Sequence, residues 1–409
     1  MAHPSAVQHE HQDGPRPPSP PEQAEREQRA EKEPRGALGL ARVLTERGET
    51  AEAETQLTAA MEKFPEAGEL PAERASLALH RGDYEAARVH IAEALALDEN
   101  QPLARWLTAE LHRVEGRIPE ADRAYAWFID RHNRGRDLDL ESLYYIGEAA
   151  AQYARWRRNS SQFNFLVNRH YPKLVEKRAE YWPALLAAGR LFLEKYNEPT
   201  ALRKINEAAA INARAPAIHA ARAELALQKF ELDRAGEAIA QALAVNPRFL
   251  PALQLLADVK LADLRADLAV DPLAEARTVN PRSEETLGRL AAAYLALDGP
   301  EETAETRLGS LVAEVEERNP KCGSFFLTMG EALERMRKFP QAAACYRRSL
   351  ERMPELIDVR GKLGLCLMRL GEEVEAAALL EESFRIDPFN VRVRNMLEVL
   401  DVLKGYAVL

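Results

Sequence analysis

Ala/Leu-rich amphipathic stretches in this chain end, again and again, in a proline or another turn-forming residue. Phe64-Pro65, Asp98-Glu99 and His132-Asn133 stand at successive steps of 34 residues. Ala213, Pro247 and Pro281 do the same, and so do Pro320, Pro354 and Pro388. Three runs on one step are an internal repeat, with longer units between the runs as insertions. About 17 residues before the end of a unit stands a helix breaker, Gly48, Gly82, Gly116 or Gly371, and Arg337 takes that place in one unit. Five residues later comes a small side chain, Ala53, Ala87, Ala121, Ala342 or Ala376. Four residues beyond it a bulkier one follows: Leu57, Ile91, Tyr125, Tyr346 or Leu380. This pattern predicts a helix, a tight turn through a left-handed residue, a second helix and another turn. The alanine lets the two helices approach, and the larger residue fills the groove beside it. One such hairpin cannot bury its own apolar stripe, so neighbours must stack.

Composition agrees with helix. Ala, Leu, Glu and Arg dominate and lose little freedom in one. Aromatics are only 7% of residues, and β-branched residues are scattered, which argues against a large sheet. The net charge of −10 leaves no global basic field, so nucleic acid and anionic membrane are not expected partners. Cys322, Cys345 and Cys366 make neither a disulfide framework nor a zinc set, and read as small hydrophobes in a reducing compartment. No apolar run reaches the roughly 18–20 residues that span a bilayer, and Met-Ala-His-Pro-Ser lacks the pattern of a secretory signal. The default expectation is a cytoplasmic protein, an extracytoplasmic one remaining open if the start site is misassigned.

Residues 1–35 are rich in Pro, Gln, Glu and Arg and almost free of large apolar side chains, which predicts a disordered tail. His3, His9 and His11 in that tail read as incidental rather than as metal ligands.

The spacing resembles that of the tetratricopeptide repeat. Met329-Gly330, Leu333, Phe339, Ala342, Tyr346 and Pro354 carry the likeness in one unit, and Leu363-Gly364, Leu367, Gly371, Ala376 and Pro388 in the next. The resemblance implies an all-α, right-handed superhelical solenoid of about ten hairpins. Three units cover 36–135, a long aromatic-rich unit 136–181, further units 182–322 and two more 323–390, before a closing helix and the start of a strand in 391–409. The unit 250–283 lacks a turn glycine and is the least certain hairpin. A second resemblance rests on Tyr153-Ala-Arg-Trp-Arg-Arg-Asn159, Tyr181-Trp-Pro-Ala and the ending Leu403-Lys-Gly-Tyr-Ala-Val-Leu409. These are similar to bacterial, planctomycete-like proteins in which such repeats precede a zinc peptidase domain of the gluzincin type (the peptidase MA group). The His-Glu-x-x-His helix of that domain does not occur here, so no peptidase residue is carried over.

No phosphate-binding glycine loop, nucleophile elbow or zincin motif occurs. No catalytic residue, cofactor or metal is expected. The resemblance instead implies a non-catalytic scaffold that binds a protein or peptide in its concave groove, lined by positions 2, 5, 9, 12 and 13 of each unit. Trp106, Glu110, Arg113, Arg190, Glu331, Arg335 and Arg369 fall on those positions. Tyr153, Trp156 and Arg157 belong to the aromatic and arginine cluster of the long unit, a hot spot composition. The bland alternatives are ordinary exposed helix residues in the groove, and large side chains that merely fill space in the long unit. Two other roles stay open: the substrate-presenting arm of a longer metallopeptidase, and a structural spacer.

Overall fold

A computed structural model describes residues 33–135, 138–157, 159–298 and 302–407, so most of the expected disordered tail lies outside the described residues. Among the described residues every regular element is a helix. The hairpins are α1–α2 (Pro34–Glu46, Thr50–Lys63), α3–α4 (Glu69–His80, Tyr84–Leu97) and α5–α6 (Pro102–Val114, Ile118–Arg134). In the long unit α7 (Leu140–Trp156) pairs with α8 (Ser161–Phe165), a π-helical turn (Leu166–His170) and α9 (Tyr171–Lys177). Then come α10–α11 (Trp182–Glu194, Glu198–Ile211), α12–α13 (Pro216–Gln228, Leu232–Val245) and α14–α15 (Leu250–Ala262, Ala266–Val279). The array ends with α16–α17 (Glu284–Asp298, Glu302–Arg318), α18–α19 (Gly323–Arg335, Phe339–Arg352), α20–α21 (Ile357–Leu370, Glu373–Ile386) and the closing α22 (Val391–Ala407).

The local chemistry follows the repeat. Ala53, Ala87, Ala121, Ala342 and Ala376 are fully buried where the two helices of a hairpin meet, and so are Ala201, Ala235 and Ala269. Four residues on, Leu57, Tyr125, Ile205, Ile239, Leu273, Tyr346 and Leu380 are buried too, each such side chain contributing about 2 kcal/mol by burial. Helix starts are set by Asp83, Gln101, Asp139 and Asn197, whose side chains accept backbone N–H bonds from the first turns.

Three local features bear on the sequence reading. Pro34 is already helical, because its fixed φ and missing N–H suit the first helical position. The hairpin α14–α15 forms without glycine: Leu264 itself takes a φ of 59° at the turn. The expected strand does not start within the described residues, since α22 continues through Ala407, its Val393 and Leu400 spaced to bury one helical face against Leu380.

The array is a right-handed superhelical solenoid whose second turn touches its first. The amide of Asn246 reaches the carbonyl of Thr45, 201 residues away, at 3.4 Å. Asn280 and Asn319 sit against Gly82 and Gly116 in the same way. Met353 packs with Tyr125 and Trp156, and the Phe163 and Phe389 rings lie 5.0 Å apart. Lys195 closes the far end of this seam: its ammonium lies 2.8 Å from Asp387 and its carbonyl accepts the Val391 N–H at 2.9 Å. The tip of each early hairpin is thus covered by the linker after the hairpin five units later.

Candidate functional site

The seam between the two turns leaves a cavity of about 670 Å³, lined largely by first helices of the hairpins. One wall comes from α3, α5, α7 and α10, the other from the starts of α14, α16, α18 and α20. A smaller recess of about 330 Å³ adjoins it between α5, α7 and α10. The cavity exists because residues far apart in sequence are brought together by superhelical return.

Its aromatic wall is built on Trp106, whose ring lies 5.6 Å from Tyr125 and 6.2 Å from Tyr145. Tyr144 and Tyr145 meet edge to face at 5.3 Å, and Tyr125 meets Trp156 at 5.4 Å. Trp156 is buried, lines the cavity, and its indole N–H has no acceptor. Glu110 takes hydrogen bonds from Arg113 at 2.8 Å and from the Tyr125 hydroxyl, which fixes both side chains.

Charge pairs hold the rest. The Arg155 guanidinium donates to both carboxylate oxygens of Glu194, at 2.6 and 3.2 Å, joining α7 to α10. Burial opposes the ionisation of Glu194, but Arg155 and Lys195 win and hold it well below the usual carboxylate range. For other carboxylates here the nearby arginines do not outweigh burial. Burial raises Glu148, against the hydrogen bond it accepts from Tyr171 at 2.9 Å. Burial, then the charge of Glu285, pushes Glu284 up to about 7, although it accepts the Asn319 amide at 2.6 Å.

The residues singled out from sequence fall into three places. Trp106, Glu110, Arg113 and Trp156 line the main cavity, and Arg190 lines the recess, exposed and without an ion-pair partner among the described residues. Glu331 and Arg335 lie apart from both. Glu331 pairs with Lys362 at 2.9 Å; burial works against its charge, but Lys362 and Arg335 lower it to about 2. Arg335 lies 3.5 Å from the fully buried Asp258, which also binds Arg289. Tyr153, Arg157 and Arg369 line neither space. Arg157 stacks 5.5 Å from the Tyr153 ring and pairs with Asp122, and Arg369 is exposed at the end of α20. The sequence reading missed Glu148, Lys195, Glu284 and Asp358. The last two face the cavity only through the second turn, so no local signal marked them.

Burial pushes the Cys345 and Cys366 thiols up to about 12 and Cys322 to about 11, far from a reactive thiolate. Among the described residues no group of three or more His, Cys, Asp or Glu could hold a metal ion. No described helix is long and apolar enough to cross a membrane.

A tetratricopeptide-repeat profile matches residues 38–102 and 327–391, the hairpins at the two ends of the array. Four hairpins between them, α5–α6, α10–α11, α12–α13 and α14–α15, repeat the same buried alanine and the same left-handed turn. The matched hairpins are tetratricopeptide repeats. Solved structures similar to the chain include the APC/C hetero-tetramer Cut9-Hcn1, at 14% identity, with 88% of this chain and 74% of that one covered and a TM-score of 0.46. Yeast Tom70 is similar at 10% identity, covering 83% and 90%, with a TM-score of 0.41. Pseudomonas aeruginosa PilF is 21% identical over 54% of this chain and 98% of its own, with a TM-score of 0.34. No curated protein sequence matches the chain.

Proposed function

We propose that this repeat protein is a non-catalytic scaffold that holds a peptide or protein segment in the cavity along its inner face. The observation that carries the reading is the cavity itself, walled by both superhelical turns and combining the Trp106–Tyr145–Tyr144 aromatic surface with fixed charges. Aromatic side chains supply large contact area at little entropic cost, and charges set register and direction. Arg190, exposed in the recess, is a cation still open to a partner.

The test is display selection of peptides on the whole protein, followed by affinity measurements on three variants. Trp106→Ala weakens a selected peptide roughly tenfold or more, Arg190→Glu shifts its affinity in the direction set by the peptide's charge, and Arg157→Glu, which lines neither space, leaves it unchanged. Mass spectrometry of the recovered peptide shows it unaltered. Equal affinities across all three variants, or a cleaved or modified peptide, overturn the reading.

A further inference from the structure

Charge in the main cavity does not balance. Eight carboxylates line it against four guanidinium or ammonium groups. Glu110, Glu194, Asp358 and Asp387 have a cation of this chain within ion-pair distance. Glu148, Glu284, Glu285 and Glu355 have none among the described residues, and they are half-buried, so water screens them less than surface charges. The aromatic wall beside them, Trp106 with Tyr145 and Tyr144, offers ring faces next to these carboxylates.

Resting on the scaffold reading above, we propose that the segment held in this cavity is an extended polypeptide rich in Lys or Arg. Its ammonium or guanidinium groups pair with Glu148 and with the Glu284–Glu285 pair. Its aliphatic stems lie over the Trp106 and Tyr145 rings, where the cation also gains from the ring face. The rise of Glu284 to about 7 fits a carboxylate that lacks its counter-ion in the empty cavity.

Three fluorescein-labelled nine-residue probes of one apolar frame, carrying three Lys, three Gln or three Glu, test this on the full chain. The Lys probe binds, and the Gln probe binds about tenfold more weakly or not at all. The double variant Glu148→Gln/Glu284→Gln lowers Lys-probe affinity about tenfold and erases the preference for Lys over Gln. The control Glu52→Gln/Glu62→Gln removes two exposed charges from α2 and leaves binding unchanged. If the control lowers affinity as much as the inner pair, attraction belongs to the overall acidity of the chain and the proposal falls. If the Gln or Glu probe binds as well as the Lys probe and Trp106→Ala abolishes that binding, the scaffold reading stands and the cationic partner falls. If no probe responds to any inner-face substitution, both fall.

Discussion

Hairpin tips in the first superhelical turn and in the second share one backbone conformation but not one residue. Gly48, Gly82 and Gly116 have φ of 83°, 74° and 70° in the first turn, while Phe230, Leu264 and Arg337 have φ near 60° in the second. A Cβ on the three glycines would lie 2.4, 2.4 and 2.0 Å from the side-chain oxygens of Asn246, Asn280 and Asn319. Phe230 and Leu264 instead project into solvent, 54% and 62% exposed. The left-handed turn alone therefore does not demand glycine, since large residues adopt it at a strain of about 1 kcal/mol each. Glycine is needed where the next turn of the solenoid lands. Tyr196 shows an intermediate solution, offering its ring and hydroxyl to Lys362 and Arg392 of the second turn. Gly371, with nothing near it, relieves the backbone only.

The largest expected effect comes from breaking the far end of the seam. Lys195→Met leaves Glu194, Asp358 and Asp387 without their shared cation, and costs about 3–5 kcal/mol in urea unfolding. Small-angle scattering of this variant shows a longer particle as the turns part. Next, Gly116→Ala meets both the backbone penalty and Asn319, and loses about 2–3 kcal/mol, against about 1 kcal/mol for Gly371→Ala. Equal losses at the two sites would remove the distinction between landed and free tips.

A smaller effect depends on pH. Glu284 has a folded value near 7 and an ordinary unfolded one, so the fold holds the proton more tightly than the unfolded chain. Its contribution is fully present below about pH 4.5 and is lost as pH rises to about 7. Glu284→Gln therefore stabilises the protein by roughly 1–2 kcal/mol at pH 8 and by almost nothing at pH 4, read as the shift between urea midpoints. Smallest of all, Leu264→Gly relieves strain at an uncovered tip, gaining about 0.5–1 kcal/mol with no change in scattering.

Much of this was legible in the residues because the forces concerned are local. Ala121 and Tyr125 announce a hairpin wherever they stand, since an alanine opposite a large residue is what two close helices need. The units carrying Ala201, Ala235 and Ala269 were harder to read because Tyr196, Phe230 and Leu264 hide the glycine signal. The inner position of Trp106, Glu110 and Arg113 follows from helix phase within one hairpin. That of Glu284 and Asp358 does not: it depends on small rotations between neighbours, summed over about five units.

By itself the sequence determined an all-helical repeat array and its hairpin register. Those features come from 3.6-residue periodicity and turn chemistry, each settled within a few tens of residues. Only the tertiary structure decided that the second turn rests on the first, that Asn246, Asn280 and Asn319 need glycine partners, and that unpaired carboxylates share one cavity with Trp156. The pitch of a superhelix is a sum of many slight angles, and no single stretch of residues records that sum.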